Sequence, residues 1–471
     1  MKKMFTWVMA AVCVCLMMTG CCGGSNTCST VYDVMSYGAI GDGYHDDTKA
    51  VQAAIDAAEK ALGGTVVFPA GHTFMTGPVE LKSNINYNLE VNSVWLANPD
   101  ESIYSQSAFF ENRGEGMVWI WCKDKKNIAI TGQGTIDGNG IAFMGEELLD
   151  SYELKELKDP TFDPRPHVLT LMGVEKLQIR DVTIRNGAYW TVHLIGCHDA
   201  SIIGISLLNN LKIRNGDGID IDHSTKVRIA DCYITSGDDC ICLKNRREYE
   251  EYGPCKDIVV TNCVMSGRSC AIKIGSENMD SISDVLIHNC VIKASNRGIG
   301  IQNRDEGTVT NVVFDNIIIE SNLFSEVWWG QAEPIYVTSY PRATSNHKDG
   351  NWRFPKGVTE GRCGEVSNIW FRNVIATSEN GFFIGCDEKS KVHDIYIQNS
   401  KFTLHRATDY PLGLFDKRPC KGEGWVKNDL VRFGYVEDNV TGMHIDNCTF
   451  SADDTMTGKV ANGVKGYVAT K

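Results

Sequence analysis

Val227-Arg228-Ile229-Ala230-Asp231-Cys232-Tyr233-Ile234 is followed by Ile258-Val259-Val260-Thr261-Asn262-Cys263-Val264-Met265, and then by Val285-Leu286-Ile287-His288-Asn289-Cys290-Val291-Ile292. Each copy alternates apolar and polar residues, breaks at an Asp or Asn, and resumes with an apolar or small residue. Earlier and later copies centre on Ile179, Ile202, Phe314, Phe371, Ile397 and Ile445. From Ile179 onward the nine centres are separated by 23, 27, 31, 27, 27, 57, 26 and 48 residues. A period in the twenties built from strand-like alternation indicates a β-solenoid. The two long steps are close to two periods, so a degenerate or interrupted coil is expected inside each. Asp181, Asp231, Asn262, Asn289, Asn316, Asn373, Asn399 and Asn447 share the bend position. Asn and Asp tolerate the left-handed backbone a sharp bend needs, and stacked amides can bond from rung to rung. Cys232, Cys263 and Cys290 follow the bend and read as an inward stack of small side chains.

Outward from the repeat, Asp47 to Leu62 is an amphipathic helix with Val51, Ala54, Ile55, Ala58 and Leu62 on one face. It is the natural cap for the open apolar end of a solenoid. The expected fold is therefore all-β, a single-stranded parallel β-helix over residues 31–471 with an N-terminal capping helix. Residues 326–364, rich in aromatics, Gly and Pro, read as a long insertion. With 471 residues, 43% hydrophobic and 22% charged, the composition is that of a folded protein, and the net charge of -13 argues against a nucleic-acid partner.

The N-terminus carries a targeting pattern. A basic Met1-Lys2-Lys3 start precedes an apolar run to Met18, closed by Thr19-Gly20-Cys21. The run is short for a membrane span and fits an export signal at 1–20, followed by a tether at 21–30. The Thr-Gly-Cys ending resembles a bacterial lipobox and marks Cys21 for lipidation; a plain secretory signal is the alternative. This reading gives an exported protein, lipid-anchored at the bacterial cell envelope. Loss of Cys13 and Cys15 with the signal and lipidation of Cys21 leave 15 of the 18 cysteines, an odd number that cannot all pair. No paired CxxC pattern indicates structural zinc.

Two neighbouring coils carry more carboxylates than a core needs: Asn215-Gly216-Asp217-Gly218-Ile219-Asp220-Ile221-Asp222 and Ser236-Gly237-Asp238-Asp239-Cys240. Their similar phase places Asp217, Asp238 and Asp239 together, since rungs stack about 4.8 Å apart. Like charges that close raise one another's pKa. Glycoside hydrolysis uses such a pair of states, a proton donor and a base for water. Oxygen-rich clusters also serve as calcium ligands, which is the competing reading.

Asn-x-Asp followed by Gly-Asp-Asp-Cys on a β-solenoid resembles glycoside hydrolase family 28, the polygalacturonase and rhamnogalacturonase family. Val34-Met35-Ser36-Tyr37-Gly38-Ala39 and Gly132-Gln133-Gly134-Thr135-Ile136-Asp137-Gly138 are similar to that family's entry region. The resemblance implies a right-handed, pectin-lyase-like β-helix that hydrolyses α-linked galacturonides with inversion and without a metal or other cofactor. It implies that Asp238 is the general acid, that Asp217 and Asp239 hold and activate water, and that Asn215 orders the loop. Asp220 would buttress the turn. Inversion corresponds to an acid–base separation of roughly 6.5–9.5 Å.

Two departures bear on substrate. Ser269 stands where many members have the His of Gly-His-Gly, and Gly300-Ile301-Gln302 replaces an Arg-Ile-Lys run whose cations engage galacturonate carboxylates. Arg268, Lys273, Arg304 and Lys244 are the nearby cations available instead, and Ser269 and Gln302 would face the sugar. Trp190 and His193, within Tyr189-Trp190-Thr191-Val192-His193, are further candidates for lining the site. The expected substrate is a pectic oligo- or polysaccharide of rhamnogalacturonan type or another galacturonide, attacked at chain ends if Trp328, Trp329, Tyr336 and Tyr340 wall the groove. The protein is expected to act as a monomer. Plain homogalacturonan hydrolysis, a lyase on the same fold and a silent glycan-binding solenoid are the alternatives.

Overall fold

The computed structural model describes residues 30–109, 115–155, 163–325, 328–342, 363–420 and 424–467. The signal segment, Cys21 and most of the 326–364 stretch lie outside these residues. Along its length the chain winds into parallel coils, each contributing strands to three faces. The repeat centres form the first face: Ile179 pairs Ile202, which pairs Ile229, and Val260, Ile287, Phe314, Phe371, Ile397 and Ile445 continue the same ladder. These side chains point inward and all but the last are fully buried. Each such residue contributes about 1.5–3 kcal/mol of apolar burial.

The bend separating the first two faces follows the sequence pattern. All eight bend residues have positive φ, between 50° at Asn447 and 62° at Asp181. Their side chains bond along the stack, as in Asn316 Nδ2 to Asn289 Oδ1 at 2.8 Å and Asn447 Nδ2 to Asn399 Oδ1 at 2.9 Å. A second left-handed column precedes the first face, at Lys176, Asp199, Lys226, Asp257, Asp284, Asn311, Asn368 and Asp394. Cys232, Cys263 and Cys290 are buried with free thiols.

Three expectations need correction. The 57-residue and 48-residue steps hold no extra coil, because Phe314 pairs Phe371 and Ile397 pairs Ile445 directly. Phe314 and Phe371, and likewise Ile397 and Ile445, therefore lie on adjacent rungs. Within the supposed insertion, Glu333–Ser339 is itself a strand of the third face, paired with Arg297–Asn303. The helix α1 spans Thr48–Lys60 and buries Val51, Ala54, Ile55 and Ala58. Leu62 departs from that face: it lies beyond the helix at φ 68° and is 84% exposed.

The third face is a 12-stranded parallel sheet. Its strands Val192–Ile195, Ile219–Asp222, Ile241–Asn245, Cys270–Asn278, Arg297–Asn303 and Glu333–Ser339 follow one another on successive rungs. Outward-facing residues on this sheet form the candidate site.

Candidate active site

Register on the third face fixes the site. His193 pairs Asp220, which pairs Cys242, then Lys273, then Gly300. Just before these strands the backbone ladder continues: Thr191 N–H donates to Asp217 O at 2.9 Å, Gly218 N–H to Asp239 O at 2.8 Å, and Cys240 N–H to Cys270 O at 3.0 Å. Asp217 and Asp239 are thereby stacked on consecutive rungs, with Asp238 beside them. Gly237 allows this approach, because a Cβ there would lie 2.2 Å from Ile213 O. Asn215 takes the left-handed conformation at φ 56° that turns the chain into the loop.

Residues that the sequence did not single out hold these loops. Arg165 is buried, and its guanidinium donates to the carbonyls of Arg214 at 2.7 Å and Ala188 at 3.1 Å while pairing with Asp163. Asn209 bridges the loops by donating to Gly216 O at 3.1 Å and accepting from Gly187 N–H at 2.9 Å. Ser236 Oγ lies 2.6 Å from Gly216 O and accepts from Asp238 N–H at 3.2 Å. Arg165 and Asn209 carry no motif of their own, and Ser236 opens the motif of Asp238 and Asp239. Their roles depend on which loops become neighbours.

The three carboxylates converge. Each offers one oxygen within 4.8 Å of the others, and Asp217, Asp238 and Asp239 are 2%, 7% and 1% exposed. These nearest-oxygen spacings are shorter than the roughly 6.5–9.5 Å between the carboxyl groups of an inverting pair, so spacing by itself does not select inversion. The three carboxylates do not share one protonation state. Asp239 is buried, but Lys273 and Lys244 outweigh that burial and lower its pKa; Lys273 Nζ is 2.7 Å from Oδ2, and Cys270 N–H donates to Oδ1 at 2.9 Å. Asp238 is pushed up to about 7 by burial and then by the Asp239 charge. Asp217 is raised well above the ordinary carboxylate value by burial, then by Asp220 and Asp238. Burial also raises Asp220, to about 8, against the pull of Lys244 at 3.5 Å. The site thus holds an ionised carboxylate beside a protonated one at neutral pH, the combination acid–base chemistry requires. The same oxygens have a cation-binding spacing, but Lys273 already supplies positive charge on the Asp239 flank.

A pH dependence follows from these states. The proton on Asp238 is present below its raised pKa of about 7 and lost as pH climbs through it. If Asp238 is the general acid, kcat/KM should fall on an alkaline limb near pH 7. A profile of initial rates checks this; a limb displaced far into the alkaline range would assign the acid to another group. The fold also loses stability as pH rises from 3.8 toward about 7, because the unfolded chain releases this proton first.

The remaining candidates divide into two groups. Lys244, Lys273, Ser269, Asn215, Trp190 and His193 surround the carboxylates. Lys244 is buried between Asp220 and Glu277, with its ammonium 4.5 Å from the Trp190 ring centroid. Trp190 packs edge-on against His193 at 4.8 Å and Phe109 at 5.1 Å, in a buried aromatic cluster. His193 is fully buried, with Nε2 3.3 Å from Asp222 Oδ2. Ser269 is buried and its N–H reaches Asp238 O at 3.3 Å.

Arg268, Gln302 and Arg304 sit on other rungs or edges. Arg268 lies over the Phe324 ring at 4.1 Å. Gln302 is buried opposite Thr338. Arg304 is committed to Thr338 Oγ1 at 2.9 Å and Lys417 O at 3.3 Å. Arg297, which the sequence reading passed over, lies in register with Cys270, pairs twice with Glu333 at 3.1 Å and stacks 3.6 Å from the Tyr336 centroid. Its side chain crosses Gly300, where a Cβ would meet Cys270 Sγ at 2.8 Å and Arg297 Cδ at 3.1 Å. A side chain at position 300 would have to displace Cys270 Sγ and the Arg297 stem.

A parallel β-helix bearing stacked carboxylates in opposite protonation states is suited to cleaving glycosidic bonds. The chain belongs to the glycosyl hydrolases family 28, whose sequence profile matches residues 65–328, including all three carboxylates. It is similar to an exopolygalacturonase of Zea mays, 29% identical over 252 residues that cover 52% of this chain and 54% of the relative. An exo-poly-alpha-D-galacturonosidase of Dickeya chrysanthemi is 29% identical over 266 residues, 46% of this chain and 43% of that one. The chain spans about half the length of the curated relatives it matches. Among solved structures, the Yersinia enterocolitica family 28 exopolygalacturonase superposes with a TM-score of 0.68 at 20% identity, over 93% of this chain and 78% of that one. That likeness shows the same fold.

Proposed function

We propose that this protein hydrolyses α-linked galacturonide bonds of pectic oligosaccharides by direct displacement with inversion. The observation that carries the proposal is the convergence of Asp217, Asp238 and Asp239, with Lys273 2.7 Å from Asp239 holding that carboxylate ionised while burial raises Asp238. Asp238 gives its proton to the leaving glycosidic oxygen. Asp239 takes the proton of the attacking water, which Asp217 on the preceding rung helps to hold. Both oxygens of Asp239 are engaged, by Cys270 N–H and by Lys273, so it is held to orient water rather than to attack the sugar carbon itself. Proton NMR of the first-formed product tests this: an inverted anomer supports direct displacement, a retained one sinks it, and an unsaturated product would indicate a lyase.

Chain-end attack is part of the same proposal. On one side of the trio, Phe109, Trp190 and Tyr189 form a buried cluster. On the other, the hairpin Leu414–Asp416 with Trp425–Lys427 covers the sheet through Phe415, which stacks on Phe383 at 4.7 Å. The rungs of Asp220, Cys242, Lys273 and Gly300 lie between them, about 14 Å at ~4.8 Å per rung. The aromatic wall expected from Trp328, Trp329, Tyr336 and Tyr340 is built differently, since Tyr336 is fully buried beneath this hairpin. We propose a site of action at the bacterial cell envelope, on the basis of the export-signal and lipobox pattern of residues 1–21 alone.

For the substrate, the neighbouring cations are already committed: Lys273 to Asp239, Lys244 to Asp220 and Glu277, Arg297 to Glu333. An uncompensated carboxylate in so buried a site is costly. Rhamnogalacturonan oligosaccharides, with a neutral sugar next to the cleaved bond, should therefore be turned over faster than polygalacturonan. The names of the relatives favour polygalacturonan as the second reading. Initial rates on the two substrates decide between them, and a wide margin for polygalacturonan would overturn the neutral-sugar assignment.

A further inference from the structure

Away from the carboxylates, a cavity of about 210 Å³ opens among Gln331, Tyr410, Pro411, Leu414, Trp425 and Lys427. Its volume is below the ~300–1,000 Å³ of sites for drug-sized ligands and suits a single ring. Gln331 is 3% exposed, and its Nε2 is buried with no hydrogen-bond partner among the described residues. That nitrogen is closed to a water-sized atom as the side chain stands, so it meets a ligand in the cavity by a turn of the amide, which would relieve the cost of an unpaired donor. Trp425 is fixed by Arg418, whose guanidinium lies 4.5 Å from the ring centroid and pairs with Asp416 at 2.9 Å. Lys427, on the same strand, is exposed and forms no ion pair with a described residue. Aromatic and apolar walls, one buried donor and one uncommitted cation match the faces of a sugar acid.

The position of the cavity connects it to the site. Asp239 is followed on successive rungs by Cys270, Arg297 and Glu333, and Gln331 N–H donates to Glu333 Oε2 at 2.7 Å. The cavity therefore lies along the same sheet edge, three rungs or about 14 Å from the carboxylates at ~4.8 Å per rung. Leu414 is held to that edge by Asn380, whose Nδ2 donates to its carbonyl at 2.6 Å. We propose that this cavity is a distal subsite for one uronate residue of the substrate chain, with its carboxylate on Lys427 and a ring oxygen or hydroxyl on Gln331. The subsite rests on the pectic-glycan reading above and adds a specificity determinant remote from the bond that breaks.

The test is calorimetric binding of rhamnogalacturonan oligosaccharides, from disaccharide to octasaccharide, to the full chain carrying Asp238→Asn, which slows turnover enough for binding to be read. Affinity should step up by about tenfold at one length, when an added galacturonate reaches the cavity. Lys427→Gln should abolish that step while leaving shorter oligosaccharides unaffected, and Lys427→Arg should keep it. Affinity that does not change with length, or a step that survives in Lys427→Gln, overturns the subsite and leaves the pectic reading standing. Absence of binding at every length overturns both.

Discussion

Asp238→Asn should lower turnover by about 10²–10⁴-fold, the usual cost of losing a general acid, while the fold remains intact. The amide is nearly isosteric and keeps the Ser236 contact to the backbone N–H of residue 238. What it removes is the proton that burial and Asp239 hold on this side chain up to about pH 7. The leaving sugar oxygen would then depart as an alkoxide. Substrates with a better leaving group need less protonation, so an activated aryl glycoside should lose far less rate than the natural bond. Unchanged melting with collapsed kcat supports the assignment. Full activity, or loss of wild-type activity on adding a chelator, would contradict it.

Glu333→Ala should destabilise the protein by about 3–5 kcal/mol, the typical cost of stripping one partner from a buried ion pair. Glu333 is fully buried and holds Arg297 through two contacts at 3.1 Å, and it also accepts from Gln331 N–H at 2.7 Å. Its removal leaves a guanidinium at 1% exposure with only the Tyr336 face and weaker contacts. Replacing both partners with apolar residues, as in Arg297→Met with Glu333→Leu, should recover much of the loss because no charge is then buried. Urea denaturation of the wild type and the two variants measures this. A single variant as stable as wild type would mean that water or a shifted Arg297 supplies the missing partner.

The repeat was legible because a coil imposes its own periodicity on the chain. Alternation places Ile229, Val260 and Ile287 inward, and the left-handed bend restricts Asp231, Asn262 and Asn289 to residues that accept positive φ. Both constraints act locally, so the sequence records them. The convergence of Asp217 and Asp239 was legible for the same reason, since equal phase on adjacent coils means adjacent position in space. Family membership added to this reading through residues in those same coils.

Sequence alone could not determine the number of coils. Separation along the chain measures loop length as well as rungs, and Phe314 stacks directly on Phe371 although the two are 57 positions apart. The charge state of the site was also hidden. Asp239 is held ionised because strand register brings Lys273 to 2.7 Å, and a Cβ at Gly300 would crowd Cys270 Sγ and the Arg297 stem. The hairpin from Leu414 to Lys427 carries no repeat signature at all, yet it covers one end of the sheet and lines the distal cavity. Local steric and hydrophobic rules thus determined the coil from sequence. Which charges compensate one another was decided only in three dimensions, because that depends on contacts between residues far apart in the chain.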